Sequence, residues 1–106
     1  MSKANKLPPV HPGQILRETV LPALGLSVTA AAKTLGISRQ MLHGILSEKN
    51  PLSAEMSLKI ARLAGGDAET WMRVQAMYDL KKATRNRALM SRVKKIPPMR
   101  AQSAHV

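Results

Sequence analysis

The chain has 106 residues, of which 44% are hydrophobic but only 2% aromatic; it has no cysteine and carries a formal net charge of +11. This is one domain's worth of sequence, with a core to be built from Leu, Ile, Val, Met and Ala, a palette that favours helices over a strand sandwich. The lack of cysteine excludes a disulfide framework, a thiolate metal site and a thiol nucleophile. No apolar run approaches the ~18 residues needed to cross a bilayer, and no signal-peptide core is present, so a soluble, cytoplasmic protein with no membrane partner is expected.

Residues 1–10, MSKANKLPPV, have no period and contain Pro8-Pro9, which reads as a flexible N-terminal arm. A first helix opens at His11-Pro12, because proline at the first helical position sacrifices no hydrogen bond. Ile15, Leu16, Thr19 and Val20 have the spacing of an inward face, and Pro22 limits the helix. Gly25 and Leu26 make a turn, and Ser27 caps a second helix whose Val28, Ala31, Ala32 and Leu35 fall at i, i+3, i+4 and i+7. Thr29, Lys33 and Thr34 then face outward. Small alanines allow another helix to cross closely, Gly36 permits a tight turn, and Ile37 plugs the corner. Ser38 caps a third helix with Leu42, Ile45 and Leu46 inward, so residues 27–49 have the pattern of a helix-turn-helix.

Pro51 ends that helix, and Ser53 caps a fourth with an inward stripe of Ser57, Ile60, Ala61 and Ala64, widened by Leu58 and Leu63. Gly65-Gly66 stops it. Asp67 caps a fifth helix, with Glu69 favourably placed in its first turn. Trp71, Val74 and Tyr78 line one side of that helix while Met72, Ala76, Met77 and Leu80 spread around it, which predicts a second covering surface and hence a two-fold homodimer. From Lys81 the helix can continue through Ala83, Leu89, Met90 and Val93 as far as Pro97-Pro98, with a disordered MRAQSAHV end. The expected fold is all-α: a five-helix domain over residues 11–80, followed by a basic helical extension and disordered tail over 81–106.

Charge divides unevenly along this frame. Residues 1–80 hold nine basic and six acidic side chains, whereas residues 81–106 hold eight basic and none acidic. Such a segment suits a polyanion and binds it in a salt-dependent, sequence-blind way. Sequence reading falls instead to the third helix, residues 38–47. Arg39 can grip guanine bidentately, Gln40 can do the same to adenine, His43 lies on the same side, and Ser38 can hold a phosphate through its hydroxyl. Lys49 and Asn50, just after this helix, are placed for the phosphate backbone. Catalysis is not expected: His11, His43 and His105 lack metal-ligand spacing, no G-x-S-x-G or phosphate-cradling glycine loop occurs, and the acids are scattered. No metal or cofactor is predicted.

Three segments, HPGQILRETVLPALGLS, AAKTLGISRQMLHGIL and LSAEMSLKIARLAGGDAETWMRVQAMYDL, resemble the HigA (virulence-associated protein I) antitoxins of the XRE, lambda-repressor-like helix-turn-helix family. The likeness spans about residues 11–80, and the HPG start with the later W-x-x-x-Q-x-x-Y-D-L is more specific than the helix-turn-helix pattern. It implies a small helical dimer that binds its own operator, represses transcription, joins the nucleoid when on DNA, and neutralises a RelE-like ribonuclease toxin encoded beside it. By position, it places Ser27 and Thr29 at phosphate contacts, Ser38, Arg39, Gln40 and His43 on the recognition helix, and Lys49 and Asn50 in the backbone-contacting loop. Val28 stands where such repressors often have Gln, Gly44 where a larger polar residue is usual, and Glu48 where Gly is common. The alternative is a stand-alone regulator with no toxin. The basic tail suits DNA better than the basic surface of a ribonuclease, so toxin contact is assigned to the helical body or the N-terminal arm.

Overall fold

A computed structural model describes residues 8–100. The expectations for residues 1–7 and 101–106, including His105, lie outside the described residues. Among the described residues the chain is wholly helical: α1 (Pro12–Leu24), α2 (Val28–Leu35), α3 (Arg39–Leu46), α4 (Ala54–Ala64), α5 (Ala68–Thr84) and α6 (Arg87–Lys94). No single helix among them is long and apolar enough to cross a membrane.

The predicted caps form as hydrogen bonds. Ser27, Ser38 and Ser53 each accept the backbone N–H three residues on, at 3.1, 3.0 and 3.1 Å, and Asp67 Oδ1 accepts that of Thr70 at 2.8 Å. The Asp67 carboxyl is held below its ordinary pKa by that bond and by the Thr70 hydroxyl. Gly36, at φ +72°, makes the left-handed turn between α2 and α3. Pro22 does not end α1. Residues Leu16–Val20 widen into a π-helical segment in which the Leu21 N–H bonds the Leu16 carbonyl, and the chain continues as α-helix over Leu21–Leu24. A widened turn tolerates the missing proline donor and relieves its ring of the preceding carbonyl.

The core gathers Leu16, Leu21, Ala31, Ala32, Leu35, Leu42, Ile45, Leu46, Leu52, Met56 and Ile60, with Val28, Ile37, Leu63 and Trp71 packed on it. α2 leaves α1 at 93°, and Ala31 and Ala32, fully buried, allow the close crossings. Three inward assignments are corrected. Thr19 is exposed, and in α4 the buried face is Met56, Ser57 and Ile60, while Leu58 is 65% exposed and Ala64 lies on the surface. Met56 and Leu58 point to different sides of one helix, and side-chain hydropathy alone does not choose between them.

The helix count is also corrected, from five to six. Past residue 80, α5 continues to Thr84; Asn86 then ends it and starts α6, its Oδ1 accepting the Leu89 N–H at 3.0 Å. α6 packs on α5, with Leu89 and Met90 half-buried, and its basic side chains are exposed.

Candidate nucleic-acid interface

α3 is an eight-residue helix held on one side and bare on the other. Leu42, Ile45 and Leu46 anchor it in the core, and Arg39, Gln40 and His43 are exposed on its free side, with Met41 46% exposed between them. The structure brings Arg39, Gln40 and His43 together with Val28, the first residue of α2, around a shallow groove of about 590 Å³. Among the described residues, Arg39, Gln40 and His43 make no side-chain hydrogen bond or ion pair, so their donors and acceptors are open to a ligand.

Ser27 and Ser38 stand at the starts of α2 and α3, exposed, each with its oxygen accepting a backbone N–H; the hydroxyl protons remain for donation outward. Thr29 is exposed on the first turn of α2. Lys49 and Asn50 are exposed at the opposite end of α3, where both their backbone N–H groups bond the Gly44 carbonyl at 3.0 Å. Gly44 does not interrupt α3. It faces the Asn50 side chain, which a Cβ at residue 44 would overlap, so its bareness serves the loop rather than emptying a place on the groove side.

The fixings behind α3 come from distant parts of the chain. Gly13 lies so close that a Cβ there would overlap the Ile45 carbonyl oxygen. Arg17 donates from Nη1 to the Leu46 carbonyl at 2.6 Å, closing the C-terminus of α3 where a cation is favoured. The same guanidinium lies 3.3 Å from Glu48 and 3.0 Å from Glu18. Those carboxylates raise the pKa of Arg17, and the Arg17 hydrogen bond holds Glu18 below its ordinary value. Glu48 occupies the left-handed region at φ +66°, which explains why glycine suits this position; the Arg17 contact partly offsets the strain.

His11 is the hub of this side. Its imidazole is 2% exposed, and Nδ1 accepts the Gly13 N–H at 2.9 Å, which caps α1. The ring also meets the Tyr78 ring edge-on at 4.8 Å. Because Nδ1 is an acceptor, the imidazole is neutral. Burial lowers its pKa below 6.5; Glu48 and Asp79 pull it up, and Lys82 adds to the lowering. From α5, Gln75 is 5% exposed, accepts the Leu52 N–H at 2.7 Å and donates to Asp79 at 2.9 Å. The HPG and W-x-x-x-Q-x-x-Y-D-L motifs therefore meet: His11 on Tyr78, Gly13 on α3, Gln75 on the loop after α3, and Trp71 on the core. Residue types at these positions were visible in the sequence, but the contacts that unite them were not.

Comparison with known proteins agrees with this geometry. The helix-turn-helix family profile matches residues 16–71, just over half the chain. Virulence-associated protein I of Dichelobacter nodosus is 41% identical over 83 residues, covering 78% of this chain and 77% of that protein. Among solved structures, antitoxin GraA in complex with its operator superposes with a TM-score of 0.80 at 29% identity, over 90% of this chain and 95% of its own. Pseudomonas aeruginosa antitoxin HigA with the higBA promoter gives a TM-score of 0.76 at 33% identity, over 86% and 98%. The chain belongs to the lambda-repressor-like (XRE) helix-turn-helix family, in the group that holds virulence-associated protein I and the HigA antitoxins.

Proposed function

We propose that this chain is a type II antitoxin that binds the operator of its own operon as a homodimer, represses transcription, and neutralises a RelE-like ribonuclease toxin through protein contact. The observation that carries the DNA reading is the unpaired Arg39, Gln40 and His43 set on the free side of α3, beside the start of α2. Arg39 and Gln40 read base edges; His43 adds a third contact. Ser27, Thr29 and Ser38 hold phosphates at the helix starts, and Lys49 and Asn50 hold the backbone beyond the far end of α3. The fold of two antitoxins solved with operator or promoter DNA supports this arrangement.

The division of labour follows the charge. The body over residues 11–80 reads sequence, whereas Lys81, Lys82, Arg85, Arg87, Arg92, Lys94, Lys95 and Arg100 add sequence-blind affinity. On this proposal the protein works in the cytoplasm, on the nucleoid. Dimerisation uses α5, whose Met77 and Leu80 are more than half exposed. The toxin meets the helical body or the N-terminal arm.

The test is binding of the chain to its own promoter fragment over a salt series, with and without residues after Arg85. Truncation weakens binding and flattens the salt slope while toxin binding persists. A truncated chain that binds operator normally but loses the toxin reverses the assignment of the tail. A promoter-specific repressor with no ribonuclease partner in the neighbouring reading frame favours the stand-alone regulator.

A further inference from the structure

Val28 is the one aliphatic side chain among the four that line the groove; the other three are Arg39, Gln40 and His43. It follows the Ser27 cap directly, is half-buried, and packs partly on the core, so its position is fixed while one side of the isopropyl group stays open to the groove. Arg39, Gln40 and His43 can satisfy the ring nitrogens and exocyclic oxygens and amines of bases. A branched hydrocarbon among them cannot. The major groove offers one apolar feature for it to meet, the C5-methyl group of a pyrimidine, which thymine carries and cytosine gains on methylation. Facing an unmethylated cytosine, Val28 would instead desolvate the edge of a polar base with no hydrogen bond in return.

We propose that Val28 is a specificity-determining contact that reads a pyrimidine C5-methyl group beside the bases read by Arg39 and Gln40. The inference rests on α3 being the DNA-reading helix. A glutamine at this position would reach for a phosphate or a neighbouring polar side chain; valine exchanges that polar contact for methyl discrimination. One methyl group moved from water to an apolar contact changes affinity about three- to fivefold.

Removing only the methyl group provides the test. The wild-type chain, Val28→Gln, Val28→Ala and Met41→Ala are titrated on the promoter fragment, on copies with each thymine in turn replaced by uracil, and on copies with individual cytosines C5-methylated. The readout is the ratio of affinities within each variant, so a loss of fold stability common to both DNAs cancels. One thymine-to-uracil exchange weakens wild-type binding about three- to fivefold if thymine is the source, or one methylated cytosine strengthens it by that factor. Both Val28 variants lose the effect and Met41→Ala keeps it. Promoter binding in which no methyl effect depends on Val28 overturns the proposal, as does an effect that vanishes with Met41 instead. Failure to prefer the promoter over a scrambled fragment overturns the DNA reading itself.

Discussion

The two sides of α3 are built by opposite rules. Its free side carries Arg39, Gln40 and His43 with open hydrogen-bonding capacity and neighbours no further away in sequence than Val28. Its held side is a set of contacts from other elements: Gly13 and Arg17 from α1, Asn50 from the next loop, and His11 joined to Tyr78 of α5. A side chain on the free side can change without moving the helix, so it can determine which DNA is bound. A change on the held side moves or loosens α3 as a whole and affects every DNA alike.

That contrast can be broken most severely at Gly13. In Gly13→Ala the new Cβ overlaps a backbone oxygen rather than a mobile side chain, so α1 and α3 must separate; about 2–3 kcal/mol of stability is lost in urea unfolding. Gln75→Leu comes next. It leaves the Leu52 N–H buried without its partner and costs about 1–3 kcal/mol by the same measurement. Glu48→Gly sharpens the contrast from the other direction. It removes the left-handed strain at the cost of a half-exposed ion pair, for a net gain of about 0.5–1 kcal/mol.

Acid provides a smaller, graded probe. The folded pKa of His11 lies below its ordinary 6.5, so the unfolded chain takes up the proton first as pH falls. The stability associated with neutral His11 is complete above about pH 6.5 and declines from there down to the folded pKa, where the decline levels off. His11→Asn keeps a capping oxygen and has no titration, so chemical denaturation between pH 7 and 5 shows a flatter profile for this variant than for the wild type.

The sequence exposed the two sides unequally. Ser27, Ser38, Ser53 and Asp67 announce helix starts because capping is a local bond spanning three residues. The inward alanines and the free side of α3 follow from helical period alone. His11 on Tyr78 and Gln75 on Leu52 connect residues 67 and 23 positions apart, and no local pattern encodes such pairs. Gln75 stands in the W-x-x-x-Q-x-x-Y-D-L motif, but its burial is not legible there, because a polar residue between Trp71 and Tyr78 looks like surface until the loop that it satisfies is in place. Asn86 is a good capping residue, but the apolar positions at Leu89, Met90 and Val93 continue the helical pattern and mask the break that it makes.

If the free side of α3 discriminates among DNA sequences, promoter titration of Arg39→Ala and Gln40→Ala reveals it. Each variant, the wild type and a scrambled fragment are compared across one salt series. The expected result is melting behaviour close to wild type, with promoter preference falling by about 1–3 kcal/mol per lost base contact. Unchanged preference for the promoter in both variants, with the fold intact, would mean that the free side of α3 does not read DNA sequence.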